Sequence, residues 1–314
     1  MNVLEPDWEV PPPSGVAIGV FDGVHLGHTT VLGRLVARAH AAGLAAGVLT
    51  FDPHPVQILA PERAPRLLIG FGRRVELIRS LGVDWVGTLD LAKIRMMSPE
   101  AFVADVLAER ANSRLVSVGD DFRFGFDRRG DVALLSREGR KFDLEVVPVH
   151  LVTDAGGAVI SSSRIRARIA TGAVGEAAQL LGRPHRLSGE VLRGDARGRQ
   201  LGYPTANLAL PTGLVAPADG IYAVKVGGTV EANGVASLGV RPTFGTGGAR
   251  VLEVHVFDFE GDLYGRHLEV DFIGRLRGEK RFESVDDLVA QMDRDADAAR
   301  RILAAGAESF PSSQ

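Results

Sequence analysis

Two histidines three positions apart, His25 and His28, stand in the stretch GVFDGVHLGH (residues 19–28), between an apolar run and a helical pattern. Glycine lets the backbone turn sharply and approach a ligand closely. The stretch contains Gly19, Gly23 and Gly27. A helix that begins near His28 offers unpaired N–H groups to an anion, and two imidazoles on one side of its first turn can donate to a phosphoryl group under attack. Such a site could transfer a nucleotidyl group by positioning and electrostatics, without a protein nucleophile.

The same histidine pair has two simpler interpretations. It could be a solvated pair of turn residues, or it could supply two ligands to a metal ion. A metal site needs a third ligand, and His54 in TFDPHP (50–55) is the only nearby candidate. Cysteine is absent from the chain, which excludes disulfides, thiolate nucleophiles and thiolate metal sites.

A polar pair stands in the other half of the chain. Thr205 and Asn207 lie two positions apart in GRQLGYPTANL (198–208). In an extended segment their oxygens lie on one face, a spacing that can offer two ligands to a hard cation. Polar alternation on an exposed strand gives the same pattern, so the spacing alone leaves both interpretations open.

A carboxylate stands on an alternating strand further along. In VLEVHVFDFEGDLYG (251–265), Leu252, Val254 and Val256 point to one face and Glu253 to the other. Glu253 is therefore expected outside the core, and a solvated side chain on a barrel is the simplest interpretation of this position.

Composition limits the class of protein. The chain has 314 residues, and two domains are expected. The 36 Lys and Arg residues against 39 Asp and Glu residues argue against a nucleic-acid partner but leave small phosphorylated ligands possible. No signal peptide and no membrane span are indicated, so a cytoplasmic location without a membrane partner is expected. The oligomeric state stays open.

The first half alternates buried strand-like runs with amphipathic helical patterns. The predicted strands are VAIGVF (16–21), LAAGVLTF (44–51), VDWVGTL (83–89), RLVSVG (114–119) and FDLEVV (142–147). One intervening helix has Ser98 as its N-cap and Pro99 at its first position. This alternation predicts a mostly parallel sheet covered on both faces, which binds ligands at the carboxyl ends of its strands.

After about residue 182 the pattern changes to short runs with period-two alternation and turn signals, which predicts an antiparallel barrel or sandwich. A terminal helix is expected at roughly 284–304. The segment GEVLRGDARGR (189–199) is rich in glycine and arginine, which is compatible with a mobile flap over a nucleotide.

The motifs of both halves resemble one known family. G-x-F-D-G-x-H-x-G-H is similar to the HxGH signature of the nucleotidylyltransferase superfamily, and in this longer form it resembles that of prokaryotic bifunctional riboflavin kinase/FAD synthetases. The resemblance implies a Rossmann-like α/β domain with a parallel sheet, followed by a six-stranded antiparallel β-barrel with a terminal helix. The implied limits are 1–15 for an N-terminal extension, 16–182 for the FMN adenylyltransferase domain, 183–306 for the riboflavin kinase domain and 307–314 for a disordered tail.

Three further segments of the first half match that family. They are TFDPHP (50–55), VGDDFRFG (118–125) and SSSRIR (161–166), in which Ser163 replaces the family's threonine and keeps the hydroxyl. The resemblance implies that His25 and His28 contact the phosphates of ATP, while Ser162 and Arg166 hold the pyrophosphate. It also implies ATP or flavin contacts for Gly19, Phe21, Asp22, Gly23, Gly27, Asp121 and Phe122.

Simpler interpretations of these segments remain. SSSRIR could be a capped surface helix with solvated arginines, and Phe122 could belong to the core together with Phe124.

The second half resembles riboflavin kinases. P-T-A-N (204–207) resembles the family motif whose threonine and asparagine bind the Mg²⁺ of the nucleotide, which implies that role for Thr205 and Asn207. The match to the family's E-x-H implies that Glu253 is the general base toward the ribityl 5′-hydroxyl. The implied ATP or flavin contacts here are Gly198, Arg199, Gly202, Tyr203 and Arg277. The implied reactions convert riboflavin and ATP to FMN, and FMN and ATP to FAD and pyrophosphate, with Mg²⁺ at both sites.

Two other functional classes fit parts of the pattern. A single nucleotidylyltransferase with a β-barrel binding module would explain the first half alone, but the combination of Thr205, Asn207 and Glu253 argues against it. An RNA-binding protein with a synthetase-like relic would need a basic face, which the charge balance disfavours.

Overall fold

The computed structural model describes residues 9–193, 198, 201–240 and 250–306. The chain divides into two compact units between Ser162 and Ser163, earlier than the boundary that the sequence suggests after residue 182. The predicted tail at 307–314 lies outside the described residues. Among those residues, no helix is long and apolar enough to cross a membrane.

The first unit contains a parallel five-stranded sheet in the order β3-β2-β1-β4-β5. The strands are β1 (Ser14–Ile18), β2 (Ala45–Phe51), β3 (Trp85–Leu89), β4 (Ser113–Gly119) and β5 (Glu145–Val149). The predicted parallel sheet is thereby confirmed. Its order reverses at β1, since β2 follows on one side and β4 on the other, which creates a topological switch point between β1 and β4.

Helices cover both faces of this sheet. They are α1 (Leu26–Ala41), α2 (Pro55–Leu59), α3 (Phe71–Arg79), α4 (Leu91–Ile94), α5 (Pro99–Ala101), a π-helix (Phe102–Arg110) that continues α5, and α6 (Val132–Gly139), with short 3₁₀ turns at Pro61–Arg63, Phe126–Arg128 and Arg140–Phe142. Ser98 caps α5 as predicted, because its hydroxyl accepts a hydrogen bond from the Ala101 N–H at 3.1 Å.

Alternate strand residues enter the two cores. On one face of the sheet, Val16 and Val116 share a core with Phe102 of the π-helix. On the opposite face, Ala17 and Leu115 share a core with helices α1 and α3. Because both faces are buried, the strands are continuously apolar rather than alternating.

The predicted strand 16–21 differs from the observed one. Strand β1 ends at Ile18, and the chain then turns, with Phe21 at φ 52° and Val24 at φ 39°. These two side chains are buried all the same, at 5% and 1% exposure. Burial in a turn gives an apolar pattern that is indistinguishable from a strand.

The second unit contains a closed six-stranded barrel in the order β10-β7-β6-β11-β8-β9. Its strands are β6 (His185–Leu192), β7 (Ala206–Leu208), β8 (Gly220–Gly228), β9 (Ala232–Val240), β10 (Arg250–Val256) and β11 (His267–Arg277), and every observed pairing between them is antiparallel. The six-stranded antiparallel barrel is confirmed.

Three helices belong to the second unit or begin at its edge: α7 (Ser162–Ala170), α8 (Val174–Leu181) and α9 (Val285–Gly306). Val174 of α8 joins the barrel core, which explains why the division precedes this helix. Ala299 and Leu303 of the confirmed terminal helix α9 pack on Ala223 and Phe257 outside the barrel.

Candidate active sites

A cavity of about 330 Å³ opens at the carboxyl ends of β1, β4 and β5 in the first unit. Its lining includes His25, His28 and Gly27 from the turn after β1, together with Asp121 and Ser162. The cavity therefore lies beside the switch point between β1 and β4, where open α/β sheets bind their ligands.

The histidine pair is ordered by the start of α1. His25 is the N-cap, and its Nδ1 accepts a hydrogen bond from the His28 N–H at 3.3 Å. Because Nδ1 is the acceptor, a neutral His25 ring carries its proton on Nε2. The two rings stack, with centroids 3.6 Å apart and planes inclined by 17°. The pair presents two imidazoles side by side at the positive end of a helix dipole.

Gly27 leaves the space that this stack needs. A Cβ atom at position 27 would lie 3.0 Å from Cε1 and 3.1 Å from Nδ1 of the His25 ring. Phe21 supports the stack from another direction, since its ring meets that of His28 edge-on at 5.3 Å. These two predicted ligand contacts thus also shape the histidine pair.

Asp22 and Gly23 hold the turn together and do not line the cavity. The Asp22 carboxylate is buried and accepts hydrogen bonds from the Leu68 N–H at 2.9 and 3.2 Å. Gly23 has φ +86°, and a Cβ there would lie 2.5 Å from the Leu68 side chain. The Ser162 hydroxyl donates to the Asp22 carbonyl at 2.9 Å, which ties the start of α7 to this turn.

Arg74 supports this turn, although no sequence motif marks it. Its guanidinium donates to the carbonyls of Val20 and Phe51, each at 2.9 Å, and the residue is only 1% exposed. Burial lowers the pKa of Arg74, and the carboxylates of Asp52 and Asp22 counteract that shift. Arg74 therefore fixes the chain immediately after β1 to the end of β2.

The remaining segments of the first half divide between cavity and core. Asp121 lines the cavity, whereas Phe122 stacks on Phe124 at 5.5 Å and packs against the core. His150, which the sequence did not single out, also lines the cavity, and its Nδ1 pairs with an Asp120 oxygen at 2.6 Å. Arg166 lies in α7, where its guanidinium donates to the Ser163 hydroxyl at 3.2 Å.

His54, the third ligand that a metal site at His25 and His28 would need, has a different role in the structure. His54 caps α2, with Nδ1 accepting from the Val56 N–H at 3.1 Å. Within residues 9–193, 198, 201–240 and 250–306, no three His, Cys, Asp or Glu side chains are grouped so as to hold a metal ion.

In the second unit, strand register aligns the predicted residues in one cross-strand row. Neighbouring members stand directly opposite each other, so their side chains share the outer face of the barrel and have Cβ atoms roughly 5 Å apart. The row, which we call the outer row, runs Asn207, Glu253, Ser237, Ile221 and Arg277 across strands β7, β10, β9, β8 and β11.

The alternation predicted for β10 is confirmed. Leu252 and Val254 are fully buried in the barrel core and Val256 is 7% exposed, while Glu253 is half-buried on the outer face. Its neighbour Asn207 is 8% exposed. The carboxylate of the predicted base and the amide of the predicted metal ligand are therefore adjacent.

A pocket of about 460 Å³ adjoins the far end of the outer row. Ile221, Ser237 and Arg277 line it together with Phe282 and Leu288. Arg277 is held by α9, because its Nη2 and Nε donate to Asp295 at 2.7 and 3.0 Å. The predicted ligand contact is thus oriented by a buried carboxylate.

The segment before Thr205 packs closely. The Tyr203 N–H donates to the Gly198 carbonyl at 2.8 Å, and a Cβ at Gly198 would lie 2.2 Å from the backbone carbonyl oxygen of Tyr203. Gly202 has φ +81°. These glycines permit a tight turn before β7, while the predicted contact Arg199 lies outside the described residues.

A second cavity of the barrel unit, of about 230 Å³, adjoins the same segment. Thr205 and Pro204 line one wall, and Asp262 and Tyr264 belong to the residues that line the rest. Thr205 thus borders an open space large enough for part of a nucleotide.

Comparisons with known proteins assign each half of the chain to a different enzyme family. A sequence model described as FAD synthetase matches residues 8–164, and one described as riboflavin kinase matches residues 181–303. The bifunctional riboflavin kinase/FMN adenylyltransferase of Escherichia coli K12 is 38% identical over 291 residues, which cover 92% of both chains. The protein of that name from Pseudomonas fluorescens is 40% identical over 292 residues, covering 92% of this chain and 93% of the relative.

The fold is shared with a solved structure. A crystal structure described as a macrolide-efflux protein from Streptococcus pneumoniae is 34% identical, with a TM-score of 0.86, and the match covers 95% of this chain and 97% of that one. That description refers to efflux, whereas the motifs of this chain and its curated relatives concern flavin phosphorylation and adenylylation.

Proposed function

The chain belongs to the bifunctional riboflavin kinase/FMN adenylyltransferase family, and from this membership we propose which residues carry each of its two reactions. It phosphorylates riboflavin with ATP to give FMN, and it joins FMN to AMP from a second ATP, giving FAD and pyrophosphate. Riboflavin, FMN and ATP are its small-molecule substrates. The expected cytoplasmic location stays a prediction.

Adenylyl transfer takes place at the cavity of the first unit. A phosphate oxygen of FMN attacks the α-phosphorus of ATP, the bond to pyrophosphate breaks, and negative charge shifts to the leaving group. The FMN phosphate is already ionised, so the step needs no general base. His25 and His28 stabilise the charge that develops, together with the N–H groups at the start of α1.

The stacked histidine pair is the observation that carries this proposal. Its position at a helix N-terminus inside a cavity supports a phosphate-binding role, and electrostatic stabilisation of this kind is worth about 10²–10³ in rate for each donor. Ser162 and Arg166 receive the pyrophosphate and Asp121 contacts the nucleotide or flavin, roles that rest on their motifs. Asp22 and Gly23 act through the shape of the turn.

Phosphorylation takes place on the outer face of the barrel. Glu253 removes the proton from the ribityl 5′-hydroxyl of riboflavin as that oxygen attacks the γ-phosphorus of ATP, and ADP leaves. The position of Glu253 between Asn207 and Ser237 supports this assignment, since the outer row leads from the expected nucleotide side to a pocket of about 460 Å³. The flavin ring occupies that pocket near Phe282 and Arg277.

The residues present fit a nucleotide-bound Mg²⁺ in the barrel unit. The Thr205 hydroxyl and the Asn207 amide offer two oxygen ligands, and Mg²⁺ is a hard cation that takes one or two protein oxygens besides water and substrate phosphates. When bound, the ion neutralises charge on the phosphates. Thr205 and Asn207 hold and orient it from β7 and the residue that precedes this strand. The second Mg²⁺, in the adenylyltransferase half, rests on the chemistry of ATP alone.

The functional limits of the halves are proposed at 16–182 and 183–306, with α8 contributing structurally to the barrel unit. Two assays on one preparation, riboflavin to FMN and FMN to FAD, test the assignment of residues. Substitutions confined to one site must impair one reaction and spare the other. If each substitution removed both activities, the two-site assignment would be wrong.

A further inference from the structure

We infer that His255 is a positioning residue of the kinase site, which fixes the segment carrying Thr205 through the backbone of Pro204. The inference rests on the proposed kinase function of the barrel. His255 stands two residues after Glu253 on β10, so both side chains lie on the outer face. His255 acts on the nucleotide side of the site through Thr205, whereas Glu253 acts on the flavin.

The paired ladder between β7 and β10 ends just before Thr205. Its registered pairs are Leu208 with Leu252, Asn207 with Glu253, and Ala206 with Val254. Continuation of this register by one residue would place Thr205 opposite His255. The residues of β7 are thus fixed by pairing with β10, while Thr205 lies one position beyond the last pair.

A side-chain hydrogen bond continues where the ladder stops. His255 Nδ1 lies 2.9 Å from the carbonyl oxygen of Pro204, and since that oxygen only accepts, Nδ1 carries the proton. Proline has no N–H to donate, so its carbonyl is the only backbone group through which this residue can be held. The bond restrains the peptide that joins Pro204 to Thr205, and hence the backbone position from which the Thr205 side chain extends.

Two aromatic rings that lie outside β10 contact the His255 ring. Tyr203 meets it edge-on at 5.0 Å, and Phe257 does so at 5.8 Å. The Tyr203 hydroxyl donates to Asp293 of α9, and burial, this hydrogen bond and the negative charge of Asp293 raise the pKa of Tyr203 to about 12. The chain of contacts Asp293, Tyr203, His255 and Pro204 therefore connects the terminal helix to the residue before Thr205.

Paired substitutions in the full-length protein separate the donor from the ring. His255→Phe keeps an aromatic ring against Tyr203 but removes the donor, whereas His255→Asn keeps an N–H near the position of Nδ1 without the ring. Loss of one neutral hydrogen bond is worth roughly fivefold. We expect His255→Phe to raise the KM for ATP in FMN formation about fivefold, while kcat and the KM for riboflavin change less than twofold, and His255→Asn to retain most of the wild-type affinity.

A readout without substrate tests the positioning itself. Hydrogen–deuterium exchange of the backbone amides in the peptide 201–208 should be faster in His255→Phe than in the wild type and intermediate in His255→Asn. His267→Phe, an exposed histidine on β11 of the same barrel, is the matched control and should leave both exchange and KM unchanged. Conversion of FMN to FAD in each variant reports that the other half is intact.

The outcomes distinguish this inference from the proposed function. If the wild type formed no FMN, the kinase assignment itself would fail. Hydrogen–deuterium exchange at 201–208 would still report whether His255 holds the backbone at Pro204. A His255→Phe enzyme with wild-type KM for ATP would overturn the positioning role, as would unchanged exchange or an equal rise in the KM for riboflavin. Equal impairment in His255→Asn would show that an N–H at this position does not suffice without the ring, and it would overturn the assignment of the positioning role to the hydrogen bond.

Discussion

The two sites of this chain are built by different means. In the first unit, the histidine pair stands on a turn with two positive-φ residues that are not glycine, Phe21 and Val24, and buried groups from other segments hold it. In the barrel, the outer row is aligned by the register of neighbouring strands. A site on a turn needs dedicated supports, whereas a site on a closed sheet obtains its alignment from the ladder that also makes the fold.

Removal of the proposed base is expected to have the largest effect. Glu253→Ala should lower FMN formation from riboflavin by about 10²–10⁴, the range for loss of general base catalysis. FAD formation from supplied FMN should stay within twofold of the wild type. Chromatographic separation of the flavin products measures both rates. Glu231→Ala, an exposed carboxylate between β8 and β9, is the control, and comparable loss in that variant would contradict the role of Glu253.

A substitution in the first unit is expected to impair FAD formation and to leave FMN formation intact. His28→Ala should lower FAD formation by about 10²–10³, because one donor to the phosphoryl group is lost, while FMN accumulates from riboflavin. His40→Ala, in the last turn of the same helix, should have wild-type rates. The same chromatographic assay applies, and an unchanged rate of FAD formation in His28→Ala would remove the histidine pair from the mechanism.

The support of the turn can be broken without touching the cavity. Arg74→Met leaves the Val20 and Phe51 carbonyls without their donor in a buried setting, at a cost of about 2–4 kcal/mol to the first unit. FAD formation should fall while FMN formation continues. Arg74→Lys should restore part of both stability and rate.

Calorimetry measures the loss of stability in Arg74→Met. Arg79→Met on the exposed side of α3 serves as its control and should leave the stability unchanged. If Arg74→Met destabilised the protein no more than this control, the turn would not depend on Arg74.

Acid should lower the free energy of unfolding of the barrel because His185, which belongs to neither candidate site, is buried. His185 is fully buried, and desolvation lowers its pKa from 6.5 to about 4, so the unfolded chain binds more protons between these values. Stability of the barrel should therefore fall as pH drops from 6.5 toward 4, by at most about 3 kcal/mol. His185→Gln, which keeps a donor toward the Val215 carbonyl, should flatten this dependence in calorimetry. A slope equal to the wild type would exclude His185 as the cause.

Sequence pattern predicted the elements and the motif residues better than their supports. Alternation along β10 identified the face of Glu253, and glycine spacing identified the turn of His25 and His28. Periodicity could not distinguish Arg73, which is exposed, from the buried Arg74, because an arginine in a helix ordinarily lies in water. The pairing of Asp22 with Leu68 joins residues far apart in the chain, and no local pattern encodes it.

The outer row shows the same limit in the barrel. Asn207, Ser237 and Glu253 each stand in a short alternating segment, but their adjacency follows from the strand order and register, which are non-local. No pattern in the sequence distinguishes Ser237, and His255 is marked only as part of the E-x-H motif. Family resemblance supplied the roles of single residues, whereas the structure supplied the contacts between them.

Closure of the barrel constrains how this chain can vary. A strand at the edge of an open sheet can absorb a one-residue insertion by sliding, but each barrel strand is paired on both sides. Unless a bulge absorbs it, as at the two register shifts of β11, a single inserted residue between Leu252 and Glu253 would reverse the facing of the side chains beyond it and send the carboxylate toward the apolar interior. Changes of length in the kinase half should therefore be confined to the connecting loops, while the strands that carry its chemistry keep a fixed number of residues.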